Sequence, residues 1–96
     1  MLTMVFDYTP SDGIHERLYN MIRSACDGLS VQITNVVEHL EDYSVIYYMR
    51  TSDTNSYIKV YIDKKGFVTY AKPMSMLGPE DEELAAVINE ISDHFV

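Results

Sequence analysis

Ser56-Tyr57-Ile58-Lys59-Val60-Tyr61-Ile62, followed at once by Asp63-Lys64-Lys65-Gly66, is the stretch on which the reading of this chain turns. Ile58, Val60 and Ile62 alternate with Tyr57, Lys59 and Tyr61, the period-two pattern of a strand with one face toward a core. The Asp63–Gly66 stretch has the form of a type I turn whose glycine takes the left-handed position of a bulged hairpin. The chain then returns as a strand from Phe67 to Lys72, which Pro73 is expected to end. This hairpin predicts a register in which Ile62 opposes Phe67, Lys59 opposes Tyr70 and Tyr57 opposes Lys72. Ile58, Val60, Ile62, Phe67, Thr69 and Ala71 then face inward, while Tyr57, Lys59, Tyr61, Val68, Tyr70 and Lys72 face outward.

Upstream of the hairpin the pattern is also that of strands. Residues 30–37 are β-branched and roughly alternating, and 43–50 are apolar on both faces, as in a central strand. Polar residues 38–42 separate these two stretches, and 51–55 form a turn-rich loop. Tyr43, Val45, Tyr47 and Met49 are expected inward, leaving Ile46, Tyr48 and Arg50 outward. Farther back, Thr9-Pro10-Ser11-Asp12 reads as a helix start, with Thr9 as cap and Pro10 at the first helical position. Ile14, Leu18, Met21, Ile22 and Ala25 then recur at helical spacing, leaving His15, Glu16, Asn20 and Arg23 outside, and Asp27-Gly28 is the expected stop. Residues 2–8 alternate loosely and are compatible with a short extra edge strand. After Pro73 and a crossover bearing Met74 and Met76, Gly78-Pro79-Glu80-Asp81 starts a second helix. Its apolar stripe is Leu84, Val87, Ile88, Ile91 and Phe95.

Two helices bracketing strands with no helix between them imply antiparallel pairing. The expected fold is therefore a two-layer α+β domain spanning 1–96, a four-stranded antiparallel meander with both terminal helices on one face. The expected core joins Ile14, Leu18, Ile22, Val31, Ile33, Val45, Ile58, Val60, Ile62, Phe67, Leu84, Ile88 and Ile91. In outline the chain resembles small acidic α+β domains such as the secretion-chaperone-like fold, although no local motif names a family.

At 96 residues the chain is long enough for one core, and its net charge of −8 is unevenly spread. Residues 1–49 carry Arg17 and Arg23 against seven acids, and 73–96 carry six acids with no lysine or arginine. The middle reverses sign, with Arg50, Lys59, Lys64, Lys65 and Lys72 against Asp53 and Asp63. The single cysteine, Cys26, excludes an internal disulfide or a cysteine-based metal cage, and its place beside the helical stripe predicts a buried, inert thiol. No apolar run reaches membrane-spanning length, and the first residues lack the basic segment of a secretory signal. These features lead us to expect a cytoplasmic protein with no membrane association.

Catalytic chemistry finds no foothold in the residue spacings. His15 falls on the outer face of the first helix, His39 in a turn and His94 near the end of the second. No pair has metal-ligand spacing, and His39-Leu40-Glu41-Asp42 reads as a solvated turn rather than a cation site. No glycine-rich phosphate loop or nucleophile elbow is present. We therefore expect no enzyme, no catalytic residue, no cofactor and no metal.

The candidate site is instead the outward sheet face: Tyr48, Arg50, Tyr57, Lys59, Tyr61, Tyr70 and Lys72. Tyrosine and arginine are enriched in protein contacts, so the leading expectation is an interaction module that binds a protein partner or forms a homodimer. The alternative is a single-stranded nucleic-acid or small-ligand binder that stacks bases on the same tyrosines. Nucleic acid is disfavoured as a partner, because an acidic chain repels phosphate at long range and the strands lack the βαββαβ order and aromatic–glycine signature of the commonest single-strand platform.

Overall fold

The computed structural model describes residues 7–29, 31–51, 55–65 and 85–90, and the backbone of 68–75. Helix α1 (Gly13–Leu29) is followed by β1 (Gln32–His39), a 3₁₀ turn η1 (Leu40–Asp42), β2 (Ser44–Arg50), β3 (Asn55–Ile62) and β4 (Val68–Ser75). The strands form an antiparallel sheet in the order β1-β2-β3-β4. Residues 85–90 are helical. An α+β architecture of helices and an antiparallel sheet thus follows the reading of the sequence. Among the described residues no helix is long and apolar enough to cross a membrane.

Helix α1 begins later than the proline suggests. The cap is Asp12, whose Oδ1 accepts the backbone N–H of His15 at 2.9 Å, while Glu16 N–H makes the first helical bond to the Asp12 carbonyl at 3.1 Å. A carboxylate serves the third N–H of a helix only from the position just before it, which fixes the start at Gly13 and leaves Thr9 and Pro10 outside. Gly28 lies within the helix rather than stopping it, and the end is closed by Val31 N–H donating to the Cys26 carbonyl at 3.0 Å.

One apolar cluster joins the layers. Leu18, Ile22, Ala25 and Cys26 of α1 meet Val45, Tyr47 and Met49 of β2, and Ile58, Val60 and Ile62 of β3, with Val87 of the helical stretch in the same cluster. α1 and the 85–90 helix therefore pack on the same face of the sheet. Of the expected core, Ile14 and Ile88 are only partly buried, and Phe67, Leu84 and Ile91 lie outside the described residues. So do residues 2–6 of the suggested edge strand, the Gly78–Asp81 helix start, the Met76 crossover, His94 and Phe95.

Two irregularities set the faces. In β1 the register shifts between Ile33 and Asn35, so Thr34 is an extra residue. That bulge lets Ile33 and Val36 both face inward although they are three residues apart. The second shift lies between Tyr61 and Ile62 and corrects the expected hairpin register. Ile62 pairs with Val68, Tyr61 with Tyr70, Lys59 with Lys72 and Tyr57 with Met74. Beyond the bulge the slip from the expected register is two residues, which preserves inward and outward faces while changing every cross-strand partner. Val68, expected outward, instead takes the register position opposite inward-facing Ile62. Pro73 does not end β4 but sits within it, opposite Ile58. An edge strand tolerates a proline whose missing N–H lies on the unpaired side.

Candidate functional site

The outer sheet face is organised in rows that run across the strands. Pairing aligns Gln32, Arg50 and Asn55 at one end, then Asn35, Tyr48, Tyr57 and Met74. The next row is Val37, Ile46, Lys59 and Lys72, and the last is His39, Ser44, Tyr61 and Tyr70. The expected Tyr/Lys checkerboard is therefore replaced by like residues side by side. Arg50 is exposed, whereas Tyr48, Tyr57, Lys59 and Tyr61 are half-buried on this face. For Tyr70 and Lys72 the register is described, while their side chains lie outside the described residues.

Two contacts order the described part of the face. The rings of Tyr48 and Tyr57 meet with centroids 5.9 Å apart and planes tilted by 47°, a cross-strand aromatic pair. The Lys59 amine stands 5.1 Å from the Tyr61 ring centroid and 3.7 Å from Asp42 Oδ2 at the rim. Tyr61 first, and Asp42 with it, hold this amine more firmly protonated than usual. Asp42 is itself held below the usual carboxylate range, chiefly by the hydroxyl of Ser44, which donates to its Oδ1. Ser44 takes an outward register position yet is buried. η1 then passes into β2 through Tyr43, which has a left-handed backbone (φ 55°).

Charge is sorted between the two faces of the sheet. Glu38 is the single acidic residue in the sequences of β1, β2, β3 and β4, and it pairs with Val45 on the inward side. No carboxylate therefore occupies an outward position on the strands. Those positions hold Arg50, Lys59 and Lys72 together with Gln32, Asn35 and Asn55. Lys59 and Lys72 lie directly opposite one another, an arrangement that costs stability when both are charged.

Sequence reasoning missed a polar network on the inner side. His15, expected outside, is 5% exposed. Its Nδ1 lies 2.8 Å from Asp12 Oδ1 and its Nε2 lies 3.9 Å from Glu38 Oε1. Glu38 Oε2 accepts the Tyr8 hydroxyl at 2.6 Å and the Ser11 backbone N–H at 3.1 Å. Burial alone would raise the Glu38 carboxyl, but the hydrogen bonds from Ser11 and Tyr8, with His15 nearby, outweigh it and hold the group below its usual range. The network fastens the start of α1 to β1 and makes a buried histidine tolerable. Its sequence signals were the three-residue spacing of Asp12 and His15 and the lone strand acid, Glu38.

His39, expected in a turn, ends β1, and its Nδ1 lies 3.3 Å from Glu41 Oε1. His15 and His39 both border a cleft of about 320 Å³ with Tyr43, Ile62 and Lys64. Among the described residues no cluster of histidine, cysteine and carboxylates could hold a metal ion. Cys26 is buried against Met49 Sδ at 3.9 Å, and burial, with Asp27 nearby, pushes its thiol up to about 12.

No curated protein and no solved structure matches the chain. The helix, strands, helix outline by itself is common to unrelated families, the secretion-chaperone-like fold included, and does not choose among them. One family model does match, over residues 14–91, from the first turn of α1 through the sheet to just beyond the 85–90 helix. On that match, the chain belongs to the family described as the TATA-binding-like protein domain of the TOTE conflict systems.

Proposed function

We propose that this chain is a binding module, not a catalyst, that receives a nucleic acid, in the first instance duplex DNA, on the outer face of its sheet. The observation that carries this reading is the sorting of charge. A chain of net charge −8 keeps the outward positions of its strands free of carboxylates and sets Lys59 opposite Lys72 there. Directly opposed lysines cost a packed domain stability, and a polyanion relieves that cost. The exposed Gln32, Arg50, Asn35 and Asn55 add the residue types that read a minor groove, and β-sheets are among the elements that dock there. The description of the family as TATA-binding-like points the same way. At physiological salt the Debye length is about 8 Å, so the local face outweighs the chain's net negative charge at contact distance.

The reading predicts weak binding with a definite salt dependence. Two to three phosphate contacts among Arg50, Lys59 and Lys72 should make the logarithm of affinity fall with the logarithm of salt at a slope between about −1.8 and −2.7. Fluorescence anisotropy of a labelled duplex measures this, with Arg50→Glu as the site variant and Arg17→Glu on exposed α1 as the control. Loss of binding in the first and near-normal binding in the second are expected. Equal effects of the two would show that only net charge matters.

A second reading is favoured by a specific feature of the same face. Val37, Ile46, Tyr48, Tyr57 and Tyr61 are half-buried outward residues, and the Tyr48–Tyr57 pair could anchor a protein partner or a second copy. Concentration-dependent sedimentation that Tyr61→Asp abolishes, without any binding of duplex, would support it.

A further inference from the structure

Asp42 is placed to do more than finish a turn. One of its carboxylate oxygens is fixed by the buried Ser44 hydroxyl, and the other reaches the Lys59 amine at 3.7 Å. The residue ends η1 immediately before left-handed Tyr43, whose carbonyl accepts the Ile62 N–H at 2.9 Å, so its backbone is tied to the end of β3. Lys59 lies between Ile46 and Lys72 in its row, near the middle of the face. Arg50, at the opposite end of β2, has no ion-pair partner among the described residues. The positive face is therefore partly neutralised at one end and open at the other.

Building on the reading of this face as a nucleic-acid surface, we propose that Asp42 is an internal, displaceable counter-ion. It balances the Lys59 charge when the face is empty, and an incoming phosphate must take its place. Two consequences follow. Asp42 weakens binding and lowers its salt dependence, because Lys59 exchanges one anion for another instead of releasing a counter-ion. It also makes the Arg50 end the point at which the phosphate backbone first engages.

Asp42→Asn tests this while retaining an oxygen that can accept from Ser44. In titrations of a labelled duplex, the variant should bind about two- to five-fold more tightly than wild type at low salt, the range of an exposed ion pair. The slope against salt should steepen by about 0.9 as Lys59 becomes a full phosphate contact. The gain should vanish in a Lys59→Gln background. In wild type, Lys59→Gln should change the slope less than Arg50→Gln, a comparison that does not depend on the Asp42 variant folding. If wild type binds duplex and Asp42→Asn does not tighten it, or the gain survives Lys59→Gln, Asp42 is not a counter-ion to Lys59. If wild type and all variants fail to bind even at low salt, the reading of the face falls and the counter-ion role falls with it.

Discussion

Replacing Tyr47 with phenylalanine should stabilise this protein. Tyr47 is fully buried on the inward side of β2, and its hydroxyl has no hydrogen-bond partner among the described residues. The ring itself is well placed, stacked on Tyr19 of α1 with centroids 6.5 Å apart and planes 13° from parallel. Burial pushes its phenol far above the ordinary range, so the neutral hydroxyl is simply held out of water. An unpaired buried hydroxyl costs about 1–3 kcal/mol, while the void left by one oxygen costs a few tenths. The net expectation for Tyr47→Phe is a gain of about 1 kcal/mol, which raises the melting temperature of a domain this size by about 4–8 °C. Tyr8→Phe supplies the opposite case in the same ring ladder, since Tyr8 meets Tyr19 edge-on at 5.2 Å and donates to Glu38. Losing that bond to a carboxylate should cost about 1.5–3 kcal/mol. Thermal and urea unfolding of both variants measure the pair. A loss of 1 kcal/mol or more in Tyr47→Phe would refute the reasoning and mean that the hydroxyl is satisfied, for instance by a buried water.

Two further outcomes bear on the inner network and the core. Glu38 has its folded pKa below its unfolded value, so its contribution to stability is present above about pH 4.3 and is lost as pH falls through the folded value. Glu38→Gln should flatten that acid limb in urea unfolding measured across pH, and an unchanged limb would contradict the network. Cys26, 1% exposed with its thiol pushed up to about 12, should resist a thiol reagent at neutral pH in the native protein and react on denaturation. Rapid native labelling would contradict its packing against Met49.

The parts of the fold that the sequence made legible are those where side-chain period and burial coincide. β3 alternates without interruption, and β2 buries Val45, Tyr47 and Met49 as its pattern implied, so Tyr48, Tyr57, Lys59 and Tyr61 were assigned to the correct face. Tyr43, expected inward, instead precedes the strand and is exposed. The β3–β4 register was not legible, because the bulge at Tyr61/Ile62 is decided by local pairing and leaves no mark on the alternation. Asp63 accepting the Lys65 N–H at 2.8 Å shows that the turn forms locally, yet a local turn does not fix which residues pair beyond it. That slip hid the Lys59–Lys72 opposition, the feature on which the proposed anion surface rests. His15 was misplaced for a different reason. It lies three and seven residues before Leu18 and Ile22, on the buried line of α1, but its polarity argued for solvent. What reverses the argument is Glu38, distant in sequence and brought beside it only by folding. Net charge, an average over the chain, says nothing about which face of the sheet carries Lys59 and Arg50.

The most direct test of the central claim is a heteronuclear NMR titration of the protein with a short DNA duplex at low salt. The account predicts shift changes and broadening at the amides of Tyr48, Arg50, Tyr57 and Lys59, with α1 from Glu16 to Arg23 undisturbed and the effects reversed by added salt. Perturbations centred on α1, or none on the sheet at saturating duplex, would contradict it.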